Sequence, residues 1–208
     1  MVAQFPGGAD NPYTFLVPGL LVQLGMFGAM FAGFSLIGEW REGVIEAERV
    51  TPASRTALLT GRLMRDLLQL FVQALILVLL GWAMGMRGSV IGVIVGIVIT
   101  LLIGGACAAA SNALALTTKS EDVMAPVINM VLMPVLLLSG ILLPMTLGPA
   151  WLQRLSDFMP FRWIVDGVRD TFGGDIATMA VLWSVLAAAI LAALGTWWGT
   201  SVFRKENA

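Results

Sequence analysis

Apolar residues in this chain form five long runs that short polar segments separate. Each run has roughly the 20 apolar residues that a helix needs to cross a bilayer, and each is predicted to be helical because lipid offers no partner to free backbone groups. The five predicted spans are Phe15–Gly38, Leu67–Met86, Val90–Leu116, Val123–Leu143 and Ile176–Thr200. Pro126 and Pro134 are expected to kink the fourth helix rather than end it. The pattern predicts an all-α integral membrane protein.

The longest polar interruption lies between the first and second spans, from Glu39 to Asp66. Its first part, 39–50, has the 3.6-residue period of an amphipathic helix. One face carries Glu39, Glu42, Glu46 and Arg49, and the opposite face carries Trp40, Val44 and Ala47. Thr51-Pro52 predicts a sharp corner, after which threonine caps a second helix. That second helix is predicted to start near Ala53, to carry Arg55, Arg62 and Arg65, and to run into the second span.

The acidic face of the 39–50 segment favours a protein partner over lipid. A helix that only rests on an anionic membrane surface is expected to be basic on its polar face. Here three glutamates occupy that face. The alternative is an ordinary solvated loop whose arginines follow the positive-inside rule.

The basic residues that flank the spans predict the orientation. With the N-terminus outside, the inner side holds Arg41, Arg49, Arg55, Arg62, Arg65, Lys119, Arg204 and Lys205. The outer side then holds Arg87, Arg154, Arg162 and Arg169. We therefore expect an extracytoplasmic segment 1–14, a single transmembrane domain 15–205 and a cytoplasmic tail 206–208, in a multi-pass protein of the plasma (inner) membrane. Residues 1–14 lack lysine and arginine and do not resemble a signal peptide.

A second unusual segment, 144–175, precedes the fifth span. It is too polar to cross a membrane and too apolar for a free loop. Two short amphipathic helices are predicted on either side of Pro160, the first with an apolar stripe and the second ending at Gly173-Gly174. The stripe comprises Trp151, Leu152, Leu155 and Phe158. On the second helix, Arg162 and Asp166 stand four residues apart and can form an ion pair.

Composition agrees with this class and excludes others. The chain is 58% apolar and 12% charged, far from the balance of a soluble domain. Its net charge of −1 argues against a nucleic-acid partner. Histidine is absent and cysteine occurs once, at Cys107, so neither a metal site nor an intrachain disulfide is expected. The chain has no G-x-x-x-x-G-K-[ST] loop for ATP and lacks the residue sets of membrane-embedded enzymes. Polar residues within the spans either line a cargo path or hydrogen-bond neighbouring helices; the candidates are Gln69, Gln73, Asn112 and Asn129.

Several motifs carry a family resemblance. They are Pro18, Phe34-Ser35-Leu36, Glu39-x-Arg41-Glu42-Gly43-x-x-Glu46, Thr51-Pro52-x-Ser54-Arg55 and Gly61-Arg62. Together they resemble the transmembrane permeases of ABC type-2 exporters, in the daunorubicin-resistance-like branch. The pattern departs from the family at three positions: Trp40 is inserted between Glu39 and Arg41, Val44 replaces threonine and Arg62 replaces lysine. The resemblance covers about residues 14–205 and begins just before the second of the family's usual six spans, so it implies that the first span is missing.

The resemblance implies roles for two segments. The 39–50 segment would be the cytoplasmic coupling helix that contacts a separate ATPase subunit. The coupling residues that the resemblance implies are Glu39, Arg41, Glu42, Gly43 and Glu46. The further candidate coupling residues are Arg49, Thr51, Pro52 and Arg55. The 144–175 segment would be an extracellular re-entrant hairpin, whose family pattern matches Pro160, Phe161, Asp166 and Arg169. Trp151 and Arg162 are further candidate residues of this hairpin.

The expected function is therefore that of a non-catalytic permease subunit. It would pair with a second copy or a related permease, contact membrane lipids, and move a drug, lipid or glycolipid outward. ATP and Mg²⁺ would bind to the partner ATPase and no cofactor to this chain. The alternative is a membrane scaffold or assembly protein that docks a soluble partner through its polar loop.

Overall fold

The computed structural model describes residues 12–44, 55–141 and 149–206, and every regular element within these ranges is an α-helix. In chain order the helices are α1 Pro12–Met30, α2 Ala32–Arg41, α3 Arg55–Ala83, α4 Val90–Thr118, α5 Glu121–Leu138, α6 Ala150–Asp157, α7 Pro160–Gly173 and α8 Met179–Glu206. Five segments are long and apolar enough to cross a bilayer: Tyr13–Arg41, Thr60–Ala83, Val90–Thr118, Glu121–Leu138 and Met179–Val202. The predicted all-α membrane fold with five spans is confirmed.

The ends of the spans differ from the predicted ones by several residues. Helix α3 begins by Arg55, and its membrane-spanning segment starts at Thr60 rather than at the predicted Leu67. The charged residues before Leu67 do not interrupt the helix, because long cationic side chains can reach polar partners from a helical backbone. The fourth span keeps both internal prolines within α5, as predicted. Between α3 and α4 the chain reverses within a short link, and the Ser89 hydroxyl caps α4 by accepting from the Gly92 amide.

Helix α4 is the centre of the bundle and contacts α1, α2, α3, α7 and α8. Close approach is possible because small residues face its neighbours. A Cβ on Gly195 of α8 would lie only 2.6 Å from the carbonyl oxygen of Ala106, and one on Gly199 would lie 3.0 Å from that of Ala109. The small-residue part of α4 therefore serves close helix packing.

The first span is broken near its middle, between α1 and α2. Ser111 of α4 fills the break: its hydroxyl accepts a hydrogen bond from the Gly33 amide at 3.0 Å and donates one to the Met30 carbonyl. Such pairing matters because unsatisfied backbone groups are costly inside a membrane. A side chain at Gly33 would collide with Ser111, so the site requires glycine.

Helices α6 and α7 form a hairpin, and α7 inserts between α4 and α8. Its Ile164, Val165, Val168 and Phe172 are fully buried. Three glycines make room for it: added Cβ atoms would strike α7 from Gly92 and Gly96 of α4, and one on Gly167 would strike Ser184 of α8. Gly174, at a φ of 99°, ends the helix as predicted. The hairpin predicted over 144–175 is thus described from Pro149 onward, while 142–148 lie outside the described residues.

The outer faces of α3, α5 and α8 are apolar and exposed. Representative residues are Leu68, Ile76, Met130, Trp183 and Trp197. In a soluble protein such faces would mark interaction sites or aggregation. In a membrane protein they suit lipid tails or a neighbouring membrane subunit.

Candidate functional site

The end of the bundle where α2 stops, here called the polar end, is held by a three-residue ion-pair cluster. Glu39 accepts hydrogen bonds at 3.0 Å from Arg62 through Oε2 and from Arg65 through Oε1. Arg65 also donates to the Ser35 hydroxyl at 3.2 Å. The Arg62 side chain is only 8% exposed, whereas that of Arg65 is 52% exposed. Glu39 therefore fixes the end of the first span to the start of the second.

This geometry corrects the predicted start of the coupling helix. The 39–50 segment was expected to be a separate helix, with Glu39 facing a partner. Instead, Glu39 and Arg41 belong to α2, which continues the first span, and the chain turns at Glu42-Gly43, where Gly43 has a φ of 75°. The helical periodicity does continue through Glu39. The ion-pair partners of Glu39, however, lie in α3, and sequence periodicity cannot reveal partners that are so distant in the chain. Glu39 therefore stabilises the fold from within.

Two further contacts tie the end of α2 to the link between α4 and α5. Arg41 forms an exposed ion pair with Glu121 at 3.0 Å. The Lys119 ammonium lies 5.9 Å from the ring centroid of Trp40, within cation–π range. Lys119 has the left-handed φ of 50° and ends α4. The last turn of α2 is thus linked to α3, α4 and α5 together.

The remaining predicted coupling residues are described only in part. Glu42 is exposed at the turn after α2. Arg55 is the first residue of α3. Glu46, Arg49, Thr51 and Pro52 lie outside the described residues, as does most of the predicted helix and its corner. The described flanks of this segment are linked at the polar end through Glu39 of α2 and Arg62 of α3.

An amphipathic groove runs between the first span and α3, and two of the predicted cargo-path residues line it. Its polar part, about 380 Å³, is lined by Ser35, Arg65, Asp66, Gln69 and Gln73 among others. A mainly apolar part of about 530 Å³ continues past Gln73 and Gln23 to Leu80. Gln73 lines both parts. The Gln23 carbonyl oxygen is buried and accepts no hydrogen bond from the described residues.

The other two predicted cargo-path residues lie elsewhere. Asn112 is buried behind the groove, where its side chain interacts with Asp66. Asn129 is exposed on α5 and does not line the groove. The structure therefore brings Gln69 and Gln73 together, places Asn112 beside Asp66 and separates Asn129 from the groove.

The predicted hairpin residues form a second polar cluster. Arg162 donates to Asp157 and to the Ser156 hydroxyl, and it lies 3.6 Å from Asp166, which confirms the predicted i,i+4 pair. Phe161 points into an apolar cavity of about 370 Å³ between α4 and α8. Trp151 is exposed on α6, and Pro160 opens α7. Burial raises the pKa of Asp166, although the neighbouring arginines counteract it.

Arg169 joins the hairpin to two spans. Its guanidinium lies 4.1 Å from the ring centroid of Phe15 in α1 and donates at 3.0 Å to the Gly140 carbonyl, just past the end of α5. Asp166 lies 3.7 Å away on the preceding turn of α7. Burial lowers the pKa of the Arg169 guanidinium. The site explains why an arginine occurs here, since terminal helix carbonyls need donors.

Sequence reasoning missed several residues of these clusters. Asp66, Ser111, Glu121 and Asp157 are not among the predicted site residues, although each contacts a functional candidate or a break in a span. Charge balance could have identified two of them. Glu121 and Asp157 are carboxylates without an assigned partner, and each is predicted to lie at the same end of the spans as a candidate arginine. For Ser111 the sequence carried no signal beyond its position in a small-residue run.

Comparison with known proteins relates the sequence of this chain to one family. Residues 3–172 match the family model described as "ABC-2 type transporter". The chain is 25% identical to the daunorubicin resistance ABC transporter permease protein DrrB1 of Streptomyces coeruleorubidus over 98% of its own length and 73% of the relative's. It is 26% identical to the probable multidrug ABC transporter permease YbhR of Escherichia coli K12, over 83% of the chain and 47% of that protein, so it spans about half of YbhR. No solved structure gives a significant match.

Proposed function

The chain belongs to the ABC-2 type transporter family, and we propose that it is the membrane permease subunit of an ATP-driven exporter of amphiphilic cargo. ATP hydrolysis would take place on a separate ATPase chain. Two similar proteins are named as drug-resistance or multidrug permeases, which supports a hydrophobic or amphiphilic compound as cargo. In this proposal the N-terminus lies outside, the polar end faces the cytoplasm, and the permease works as a pair with a second copy or a related chain.

The observation that carries the proposed coupling is the linkage at the polar end. The last turn of α2 forms ion pairs with α3 through Glu39 and with α5 through Arg41. A force applied to the 42–54 segment would reach both ends of that segment and three spans at once. Discrete ion-pair arrangements of this kind can transmit a conformational change. Glu42 and Glu46 are the carboxylates that we propose to contact the ATPase, while Glu39 has an internal role.

The cargo would use the groove between the first span and α3. Its polar part is lined by one cationic and one acidic side chain, Arg65 and Asp66, and by two glutamine amides, whereas its larger part is mainly apolar. Ligand sites are commonly apolar with a few placed polar groups. This distribution matches a molecule with one polar end and a hydrophobic body.

Charge reversal tests the coupling proposal. The double variant Glu42→Lys/Glu46→Lys is expected to lose co-purification with the ATPase subunit and ATP-dependent efflux, because like charges would replace complementary ones. Asp175→Lys is a matched control, since this carboxylate is exposed at the opposite end of the bundle. Normal binding and efflux in the double variant would refute the coupling assignment. If the double variant loses ATPase binding but the wild-type protein itself shows no cargo efflux, the result would instead favour the scaffold function.

A substitution pair tests the cargo groove. Gln73→Leu should raise the KM for cargo because it removes the amide shared by both parts of the groove. Asn129→Leu is the control, as it removes a comparable amide from an exposed position on α5. Equal effects of both variants would contradict the groove assignment.

A further inference from the structure

The tip of the α6–α7 hairpin reaches the middle of the bundle. Phe161, the second residue of α7, shares a cavity with Ile103 and Cys107 of α4 and with Leu191 of α8. Helix α4 spans 90–118 and α8 spans 179–206, so these contacts lie close to the midpoint of both helices. At a rise of about 1.5 Å per residue, Ile103 lies roughly 20 Å from the start of α4. The tip is therefore about halfway through the spans.

Charged side chains occupy this depth. Arg162 follows Phe161 directly and forms its ion pair with Asp157, the last residue of α6. The two partners differ in exposure: the Arg162 side chain is 21% exposed and that of Asp157 is 61% exposed. A carboxylate facing lipid at mid-depth is strongly unfavourable, so charged groups there face a protein surface or a water-filled cavity. The exposed carboxylate of Asp157 therefore indicates that either another protein surface or water, and not lipid, lies next to the hairpin.

The exposed surface of α6 has a charged side and an apolar side, and this division indicates which side of the helix faces water. Arg154 and Asp157, three residues apart, share one exposed side of the helix. Trp151, Leu155 and Phe158, spaced by four and three residues, share the adjoining exposed side, and Phe158 is 85% exposed. Such a helix suits a boundary between lipid and water.

We infer that the Arg154–Asp157 side of α6 lines a water-filled passage that extends from the hairpin end of the bundle to the level of Phe161. The passage gives the polar end of a cargo a hydrated route beside the Asp157–Arg162 pair. This inference rests on the proposed export function and deepens it, because it adds a hydrated surface on the hairpin to the cargo groove, whose lining residues belong to the first span and α3.

Cysteine accessibility tests the passage directly. Cys107 is the single cysteine of the chain, so Cys107→Ser gives a cysteine-free background. In that background Asp157→Cys and Arg154→Cys are treated, in native membranes, with a membrane-impermeant, positively charged methanethiosulfonate reagent. The reagent attacks thiolates, which form in water and are suppressed in lipid. The controls are Leu155→Cys, on the apolar side of α6, and Ile190→Cys, exposed on α8 at the depth of the tip.

We expect both polar-side cysteines to react at least about tenfold faster than the two controls. Arg154→Cys leaves the ion pairs of Arg162 intact, so it reports on the passage even if Asp157→Cys disturbs the tip. The inference is overturned if Asp157→Cys and Arg154→Cys react as slowly as Ile190→Cys in membranes but readily after unfolding. It is also overturned if all four variants react at the same rate. A third contradicting result is that Arg154→Cys reacts quickly while the Asp157→Cys variant, shown to be folded, does not. The measurement needs neither ATPase nor cargo, so its failure is distinct from failure of the export function.

Discussion

Removing the Glu39 carboxylate is expected to destabilise the protein far more than removing the Arg65 charge. Arg62 is nearly buried, and Glu39 accepts from both its Nε and a terminal nitrogen at 3.0 Å. Losing one partner of a buried ion pair typically costs about 3–5 kcal/mol, because the other charge remains away from water. The Arg65 side chain is 52% exposed, and an exposed ion pair contributes only about 0.2–1 kcal/mol. Since Glu39 is itself 22% exposed, we place Glu39→Ala near the lower limit, at about 3 kcal/mol.

The assay can use the chain's own cysteine. Cys107 is buried in the core, so a thiol-reactive fluorescent dye reports its exposure as the detergent-solubilised protein is heated. For a chain of this size, about 3 kcal/mol corresponds to a fall in Tm of roughly 6–12 °C. Arg65→Ala should lower the Tm by no more than about 4 °C. The double variant Glu39→Ala/Arg62→Leu should recover much of the loss, because an apolar replacement of a buried pair is often nearly neutral. Equal losses for Glu39→Ala and Arg65→Ala would refute this reasoning.

The remaining predictions address three other contacts. Gly92→Ala should destabilise by about 1–3 kcal/mol in the same assay because its methyl would strike α7, whereas Gly61→Ala, with open space around it, should be neutral or stabilising. A double-mutant cycle on Arg41 and Glu121 should give a coupling below about 1 kcal/mol, since both side chains are exposed; a larger value would mean that the pair is shielded from water. Burial raises the pKa of Asp166, so this residue favours the folded state below the carboxyl's unfolded pKa of about 4, and its contribution is lost as the pH rises toward the higher folded pKa. The Tm of the wild type minus that of Asp166→Asn should therefore fall as the pH rises above about 4, and a rising difference would contradict the assignment.

The five spans could be predicted from the sequence because crossing a bilayer depends on the length of an apolar run, which is a local property. The two hairpin helices were also predictable, since Pro160 and Gly174 mark their boundaries within the chain itself. The end of the first span was not. Glu39 has the spacing of an exposed amphipathic helix, and only its contacts with Arg62 and Arg65, more than 20 residues away, reveal its internal role.

The depth of the hairpin and the composition of the groove were equally hidden. Insertion of α7 depends on Gly92 and Gly96, which lie some 80 residues before it in the chain and accommodate its backbone and the Phe172 ring. The four polar candidates within the spans looked alike in sequence, yet Gln73 lines the groove and Asn129 lies on an outer face. Which side of a span faces a groove depends on how helices pack together, and the apolar pattern of a lipid-exposed helix carries little of that information.

Reconstitution with an ATPase tests the central claim most directly. The permease would be co-expressed with an ABC ATPase subunit encoded beside it, purified, and placed in proteoliposomes loaded with a fluorescent amphiphile. The account predicts that the two chains co-purify, that the amphiphile stimulates ATP hydrolysis, and that ATP drives its movement across the membrane. An ATPase that neither binds this chain nor changes its hydrolysis rate in the presence of the permease and amphiphile would contradict the account.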